Sequence, residues 1–335
     1  MEEFIFEYGL FFAKTLTILA GIALLIALVA SMSSRKEDKE HLEIKKINDK
    51  YRQFESTLNA ELLSKKEWKR YQKNAKHLEK RTEGEHTRKR IFVLEFDGDI
   101  KASATASLAE EITAVLTVAT PSDEVFVRVH SAGGFVHAYG LAASQLQRLR
   151  QAQIPLIVAV DKVAASGGYM MACVANRILA APFSIIGSIG VVGQIPNLHR
   201  LLKKHDIDYE LHTAGKFKRT LTVFGENTDA AREKFREDLE ETHKLFKDFI
   251  RQHRPHLDLE VAATGEYWHG VEAEKLKLID EVSTSDDYLL KASQHADLYQ
   301  VHYTVKVGLA SRIQDFFGKL AAPRNQIEKL FPFQQ

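Results

Sequence analysis

The order of apolar and charged positions divides the chain into three stretches of different character. From Thr15 to Ser34 no residue is charged, and Leu, Ile, Ala and Val fill most of these 20 positions. A helix of about 20 apolar residues spans the hydrocarbon core of a bilayer. The run is preceded by residues that suit the lipid–water interface: Tyr8, Phe11, Phe12 and Lys14. Residues 1–34 are therefore predicted to form a membrane anchor.

A cleaved signal peptide is the competing interpretation of this segment. The first eight residues carry Glu2, Glu3 and Glu7 but no Lys or Arg, and the apolar run is longer than the usual core of a signal peptide. These two departures favour a retained anchor. By the positive-inside rule, the basic residues after the span place the rest of the chain in the cytoplasm: Arg35, Lys36, Lys39, Lys45 and Lys46.

Residues 35–89 are rich in Lys, Glu and Gln, with one Gly and no Pro. Their apolar residues recur at spacings of three and four: Ile44, Ile47, Tyr51, Phe54, Leu58 and Leu62. This spacing predicts a charged helical stalk, as a hairpin or a short coiled coil. A basic run in the stalk has two interpretations, contact with anionic lipid headgroups or a solvated helix face, and the interspersed acids favour the second: Lys65, Lys66, Lys69, Arg70 and Lys73.

From residue 90 the pattern changes to short, β-rich apolar runs separated by helix-patterned stretches: residues 91–96, 124–130, 155–160 and 177–180. This alternation predicts an α/β body with a mostly parallel sheet covered by helices, assigned to residues 90–300, and a C-terminal strand or helical tail over 301–335. Such sheets place their sites at the carboxyl ends of the strands. Glycine-bearing turns follow three of the predicted strands, at residues 131–134, 165–168 and 187–190.

Composition adds mainly exclusions. The chain has 46 Lys and Arg against 45 Asp and Glu, so its net charge of +1 gives no general attraction to nucleic acid. Its single cysteine, Cys173, forms neither an internal disulfide nor a Cys-rich metal site. No cluster of His, Cys, Asp and Glu has the spacing of metal ligands, so neither a metal nor another cofactor is expected.

Ser166 stands between a predicted strand and a predicted helix. The sequence Ser166-Gly167-Gly168 opens the helical run 169–176. Free N–H groups at a helix start favour developing negative charge, and glycines let a substrate backbone come close. An ordinary serine N-cap is the competing interpretation.

A second glycine turn, Gly133-Gly134, follows the strand that ends at His130. An oxyanion hole needs two N–H groups that converge on one point, and two glycine turns at strand ends can supply them. A phosphate-binding loop is the competing use. Neither turn has the full dinucleotide spacing or a Walker lysine, so nucleotide binding is disfavoured.

Several motifs, in order, resemble the signal peptide peptidase A family of membrane serine peptidases. They are Asp-Lys-Val-Ala-Ala-Ser-Gly-Gly-Tyr at 161–169, Ser-Ala-Gly-Gly at 131–134, Gly-Ser-Ile-Gly-Val at 187–191 and Ala-Thr-Gly-Glu-Tyr-Trp-His-Gly at 263–270. The resemblance covers residues 90–290, and the anchor and stalk fit it. It implies a ClpP/crotonase-like spiral and endoproteolysis by a Ser/Lys dyad.

The resemblance also implies roles for single residues. Ser166 falls on the nucleophile and Lys218 on the general base, with Lys216 as a rival. Gly133 and Gly167 fall on the oxyanion donors, and Ser188 on the hydroxyl that orients the lysine. A lysine accepts the serine proton only as a neutral amine, which removal from water favours.

The predicted substrate-binding residues are Gly134, Ile189, Gly190 and Val191. The segment after Gly190 is expected to pair with an extended apolar peptide as an added strand, although a plain core role is the competing interpretation of its apolar residues. Signal-peptide remnants and misfolded proteins near the bilayer are the expected substrates.

Two features depart from the family pattern or compete with it. Ala132 stands where the family usually has Pro, which leaves the first turn less rigid. A Ser/His mechanism is the alternative chemistry, but His199 lies 33 positions after Ser166, and structural roles are expected for His130 and His137.

The resemblance further implies a homo-oligomeric ring, and it leaves open whether Ser and Lys come from one protomer or from two neighbouring protomers. It places the catalytic domain on the periplasmic side of a bacterial inner membrane, against the positive-inside rule. Two other function classes remain open at this point, a crotonase-like acyl-CoA enzyme and a catalytically silent membrane scaffold.

Overall fold

The computed structural model describes residues 2–33, 40–82 and 88–305. Arg35, Lys36 and Lys39, which carry part of the orientation argument, lie outside these ranges, as do residues 306–335 of the predicted tail. The chain divides into two compact units, one holding the N-terminal helix and the other spanning Glu43–His302.

Helix α1 (Glu2–Ser33) contains the apolar segment predicted as an anchor. Within the described residues it is the one helix long and apolar enough to cross a membrane, over Phe6–Ala27, 22 residues of mean hydropathy 2.2. None of that window is buried against other parts of the protein. Length, composition and exposure together fit a lipid-facing helix.

The sheet is mostly parallel and lies mainly within the second unit. Its described strands are β1 (Glu40–Lys46), β2 (Lys89–Gly98), β3 (Glu124–Ser131), β4 (Leu156–Val160), β5 (Val163–Ala165), β6 (Arg177–Ala180), β7 (Ile185–Gly187), β8 (Tyr267–His269), β9 (Glu281–Val282) and β10 (Ala296–Val305). The main order is β1-β10-β2-β3-β4-β6-β9, while β5 pairs with β3 and β7, and β8 pairs antiparallel with β7.

Helices connect and cover these strands. They are α2 (Ile47–Leu62), α3 (Lys65–Thr82), α4 (Thr105–Leu116), α5 (Val136–Gln151), α6 (Gly167–Ala172), α7 (His199–Lys204), α8 (Asp229–His253), α9 (Leu259–Ala262), α10 (Gly270–Lys275) and α11 (Ser285–Ala292). The predicted apolar runs thus correspond to β2, β3, β4 and β6, and the prediction of an α/β fold with a mostly parallel sheet is confirmed.

Both faces of the central strands are buried, which explains why their sequences are apolar without alternation. On one face, Val93, Phe126 and Ile157 lie side by side in register and belong to a single core cluster. The next positions, Leu94 and Val127, point to the opposite face and are also fully buried.

The charged segment is only in part the helical stalk that the sequence predicts. Residues 40–46 form β1 at the edge of the sheet beside β10, although α2 and α3 are helical. Asn48, at the start of α2, is buried and bonds the backbone of β10 at Ala296 and Leu298, with N···O distances of 2.9 and 2.7 Å. The partner strand lies about 250 residues away, so local helical spacing carried no sign of this pairing.

Candidate active site

The ends of three neighbouring parallel strands converge at the site. Ser131 at the end of β3 pairs with Ala164 of β5, and Ala165 at the end of β5 pairs with Gly187 at the end of β7. Since the strands run in the same direction, the glycine turns that follow them meet at one edge of the sheet. The three turns predicted from the sequence are therefore brought together.

Ser166 occupies a strained turn between β5 and α6. Its backbone has φ 51° and ψ −117°, a region that a non-glycine residue adopts at a cost of about 1–3 kcal/mol. Its N–H donates to the carbonyl of Gly187 at 2.8 Å, which ties the second turn to the third. Its side chain does not cap α6, so the ordinary N-cap interpretation is wrong and the hydroxyl is left for other chemistry.

Glycine is required opposite this serine. Gly133 has φ 93°, and a Cβ there would lie 2.7 Å from the Cβ of Ser166 and 2.8 Å from the nitrogen of Gly167. A Cβ on Gly167 would lie 2.3 Å from Cγ of the buried Tyr139. The two turns therefore approach as closely as backbone permits, with no room for side chains between them.

The N–H groups at these turns differ in their engagement. The N–H of Gly133 donates to the Ser131 hydroxyl oxygen at 3.0 Å. Within the described residues, the N–H groups of Gly134 and Gly167 have no hydrogen-bond acceptor. These two N–H groups, one on each turn, border the space in front of Ser166, where they can donate hydrogen bonds to a developing oxyanion.

A small cavity opens at this point. It is lined by Gly134, Val136, Ser166, Gly167, Met170, Gly190, Val191, Thr242 and Phe246. Gly134, Gly190 and Val191 were predicted from the sequence as substrate-binding residues, and they share this cavity with Ser166. Ile189, predicted with them, is fully buried and is not among the lining residues.

Helix α8 closes one side of the cavity and was not anticipated. Thr242 and Phe246 reach the cavity from this helix, and the imidazole Nε2 of His243 lies 3.2 Å from the carbonyl oxygen of Ile189. The helical spacing of these residues marks a packed face. That spacing alone does not indicate which surface the helix packs against, so sequence reasoning had no signal for them.

The third turn places Ser188 in a second positive-φ position, with φ 49°. Its N–H donates to the carbonyl of Glu266 at 2.7 Å, in the segment that precedes β8. The late sequence motif at 263–270 thus supports the turn that carries Ser188. Ser188 is half-buried.

Lys218 lies on the surface of its own chain. It is exposed, within the irregular segment 205–228, and its N–H donates to the carbonyl of Gly215 at 3.1 Å. Lys216 is also exposed and its ammonium lies 5.0 Å from the centre of the Phe217 ring. Neither lysine lines the cavity of Ser166 in the described part of the chain.

The histidines of the alternative mechanism also lie away from the cavity lining. His130 contacts Asp97 at 3.1 Å on the surface, and His137 stacks on the ring of Phe135. His199 begins the short helix α7. The geometry of the described residues therefore gives no support to a Ser/His pairing at Ser166.

Comparison with known proteins places the chain in a family. The model "Peptidase family S49 N-terminal" matches residues 3–146, and "Peptidase family S49" matches residues 148–299. The chain is 48% identical to "Probable protease SohB" of Haemophilus influenzae over 335 residues, covering 96% of this chain and 94% of that protein. The chain belongs to peptidase family S49. This S49 chain is also 47% identical to "Probable protease SohB" of Buchnera aphidicola subsp. Schlechtendalia chinensis, covering 86% of the chain and 99% of that relative.

Among solved structures, the S49 chain is similar to a "1510-N membrane-bound stomatin-specific protease K138A mutant in complex with a substrate peptide". The identity is 19% and the TM-score 0.39, covering 62% of this chain and 80% of that one. Family membership confirms the resemblance recognised in the sequence motifs and establishes a serine-type peptidase. It favours this activity over the acyl-CoA enzyme.

Proposed function

We propose that this S49 member is a membrane-anchored serine endopeptidase in which Ser166 is the nucleophile and Lys218 the general base. The observation that carries the proposal is the conformation of Ser166. Its backbone is held at φ 51°, its hydroxyl does not cap α6, and the glycine turns around it leave no room for another side chain. Strain of this kind is maintained where the backbone must present one side chain to a reactant.

The proposed reaction begins when the Ser166 hydroxyl attacks the carbonyl carbon of an extended peptide. The proton passes to the neutral amine of Lys218, and the carbonyl oxygen becomes an oxyanion. The N–H groups of Gly167 and Gly134 donate hydrogen bonds to that oxyanion. The N–H of Gly133, the donor that the resemblance implies, is bonded to the Ser131 hydroxyl and holds the turn. The protonated lysine then donates its proton to the leaving amine, and water releases the acyl group by the same path.

We propose that Lys218 reaches Ser166 from a neighbouring protomer of a homo-oligomer. The support is that Lys218 lies in an exposed segment rather than in the lining of its own chain's cavity. The same segment exposes large apolar side chains, as an interface does before assembly: Ile207, Leu211 and Phe217. Burial in such an interface would also remove water from the amine, which favours its neutral form. Ser188 is the residue proposed to orient it.

The proposed substrates are extended apolar segments near the bilayer, such as signal-peptide remnants or misfolded proteins. The stretch from Gly190 leads away from Ser166 without belonging to a strand of the described sheet, so its backbone is available to pair with a peptide. Val136, Met170 and Phe246 make the cavity apolar. Helix α1 would tether the chain to the membrane.

Labelling with a fluorophosphonate probe tests the proposal directly. The detergent-solubilised wild-type protein is expected to react at Ser166, as mapped by mass spectrometry, and Ser166→Ala is expected to lose the label. Lys218→Ala should lower the labelling rate at least about 100-fold, in line with the loss of a general base. Lys216→Ala is the matched control, because this lysine is two positions away and equally exposed. An unlabelled, folded wild type would contradict the proposed function, and loss of label in Lys216→Ala alone would transfer the base role to Lys216.

A further inference from the structure

Tyr139 is a fully buried phenol placed between the two glycine turns. It lies in the first turn of α5, the helix that begins just after Gly133 and Gly134. Its ring makes an edge contact with Phe96 of β2, with ring centres 6.2 Å apart. The sequence motifs did not single out this residue.

The hydroxyl of Tyr139 sets the direction of a buried hydrogen-bond chain. It donates its single proton to the carbonyl oxygen of Asp99 at 2.7 Å. The hydroxyl of Ser131, in hydrogen-bond contact with the same phenol oxygen, must therefore be the donor in that bond. The lone pairs of Ser131 remain to accept the N–H of Gly133 at 3.0 Å. The first glycine turn is thus held, through Ser131, by the phenol.

The ring of the same residue supports the second turn. A Cβ on Gly167 would come within 2.3 Å of Cγ and 2.7 Å of Cδ2 of Tyr139, so the ring lies directly on the Gly167 backbone. The two turns also touch each other, since a Cβ on Gly168 would lie 2.5 Å from the carbonyl oxygen of Ser131. One side chain therefore contacts the backbone that follows Ser166 and fixes the turn opposite it.

We propose that Tyr139 is a positioning residue that sets the separation of the two turns whose N–H groups bond the oxyanion. Its ring fixes Gly167, and its hydroxyl, through Ser131, fixes the turn of Gly133 and Gly134. This inference rests on the proposed function of those turns. The phenol acts without touching the substrate, since Tyr139 is not among the residues that line the cavity. A change of a few tenths of an ångström in this spacing weakens the N–H contacts that matter in the transition state.

The protonated state of the phenol suits this role. Burial raises the pKa of Tyr139 and outweighs the Ser131 hydrogen bond, which lowers it, while the neighbouring carboxylates of Asp99 and Asp97 add to the rise. The residue therefore keeps its proton, and with it the direction of the chain of bonds, over the physiological pH range.

The test compares the removal of two tyrosine hydroxyls that bond residues at opposite ends of one strand. Tyr139→Phe removes the hydroxyl that holds Ser131, the last residue of β3. Tyr288→Phe is the control, because its hydroxyl bonds Glu124, the first residue of the same strand, at 2.6 Å. Fluorophosphonate inactivation of the full-length protein should show a maximal rate constant about 10- to 100-fold lower in Tyr139→Phe, with half-saturation within about twofold of wild type. Tyr288→Phe should retain the wild-type rate.

Hydrogen exchange provides a readout that does not depend on activity. In Tyr139→Phe, the amides of residues 131–135 and 166–169 should exchange at least about fivefold faster, and in Tyr288→Phe they should not. Ser131→Ala, which removes the link between the phenol and Gly133, should change the exchange of the first turn and the inactivation rate in the same directions. It replaces Tyr139→Phe if that variant fails to fold.

The outcomes separate the two proposals. A labelled wild type with unchanged inactivation and unchanged exchange in Tyr139→Phe would overturn the inference about Tyr139 and leave the peptidase standing. A wild type that is not labelled, while exchange at both turns still rises in Tyr139→Phe, would overturn the proposed function and leave Tyr139 as the residue that fixes the turns. If Tyr139→Phe and Tyr288→Phe change the inactivation rate and the hydrogen exchange of the turns equally, Tyr139 is only a general stabilising residue and the inference is also overturned.

Discussion

At the scale of single residues, the site depends on positions where a side chain is excluded rather than present. Gly133 combines a φ of 93° with a position where a Cβ would meet backbone atoms, including the carbonyl oxygen of Ala165 at 2.9 Å. Backbone atoms inside a sheet cannot rotate away as the end of a flexible side chain can. Both the conformation and the space therefore require glycine.

Gly133→Ala is expected to destabilise the protein by about 2–4 kcal/mol, since a positive φ and overpacking each contribute about 1–2 kcal/mol or more. It should also abolish fluorophosphonate labelling of Ser166. Gly265→Ala is the matched control for stability, because Gly265 has a φ of 92° and no atom within 4 Å of its missing Cβ. Urea unfolding should show a loss of only about 1–2 kcal/mol there. If the two variants lose equal free energy of unfolding, the turn at Gly133 must shift to accommodate a methyl group without further cost.

Some residues of the site belong to short sequence motifs, and others reach it only through tertiary packing. Ser166, Gly133 and Gly167 stand in short local motifs, so the sequence alone predicts their positions at strand ends. Thr242 and Phe246 reach the cavity from a helix some 80 residues later, and only the packing of α8 shows it. Tyr139 is similar, because its proposed role depends on contacts with Gly167 and Ser131 and not on its neighbours in the chain.

At the scale of elements, hydrogen-bonded polar side chains hold both ends of β3. Before its first residue, Asp123 accepts hydrogen bonds from Arg90 of β2 and from the N–H and hydroxyl of Thr120. Burial alone would raise the pKa of Asp123, but these bonds outweigh it and lower the pKa to about 2 from an ordinary value of 3.8. Asp123 and its hydrogen bonds therefore hold the start of β3, the strand whose end carries the glycine turn.

Asp123 should make stability depend on pH in the acid range. Because its pKa is lowered in the folded state, its contribution is fully present above the unfolded pKa near 4 and is lost as pH falls toward 2. A shift of this size corresponds to about 2 kcal/mol. Urea unfolding at pH 5, 4 and 3 should therefore show a steeper loss in wild type than in Asp123→Asn.

The control for this titration is Asp286→Asn. Asp286 contacts Arg128, but its side chain is 86% exposed, and exposed ion pairs contribute at most about 1 kcal/mol. Its removal should leave the steep acid dependence in place. An acid dependence in Asp123→Asn equal to that of wild type would assign the effect to other carboxylates.

Strand β1 shows why some elements escape prediction at this scale. Leu42 and Ile44 alternate as in a strand, while Ile44, Ile47 and Tyr51 fit a helical spacing. Local pattern supports either structure for so short a segment. The free edge of β10 decides the outcome, and Asn48 then fixes the start of α2 by bonding the backbone of that strand. Neither fact is present in the local sequence.

At the scale of the whole molecule, the parts of the proposed dyad have opposite surroundings. Ser166 is half-buried and follows the buried residues Ala164 and Ala165, whereas Lys218 lies in an exposed segment with apolar side chains around it. The sequence motifs predict both residues without indicating whether one chain supplies both. A neighbouring copy that covers this segment would bury the apolar surface and bring a lysine to the serine at the same time.

Mixing two inactive variants distinguishes a shared site from a site within one chain. Ser166→Ala keeps the lysine and Lys218→Ala keeps the serine, so each homo-oligomer should fail to react with the fluorophosphonate probe. If each site takes its serine from one protomer and its lysine from the next, random co-assembly should restore about a quarter of wild-type labelling. All of that label should lie on the Lys218→Ala subunits, which a different affinity tag identifies by mass. The control is Lys218→Ala co-assembled with the double variant Ser166→Ala/Lys218→Ala, which supplies no lysine and should stay unlabelled. If the mixed oligomers also stay unlabelled while wild type reacts, Lys218 must serve the serine of its own chain, and the exposed segment must then fold back over the cavity when substrate binds.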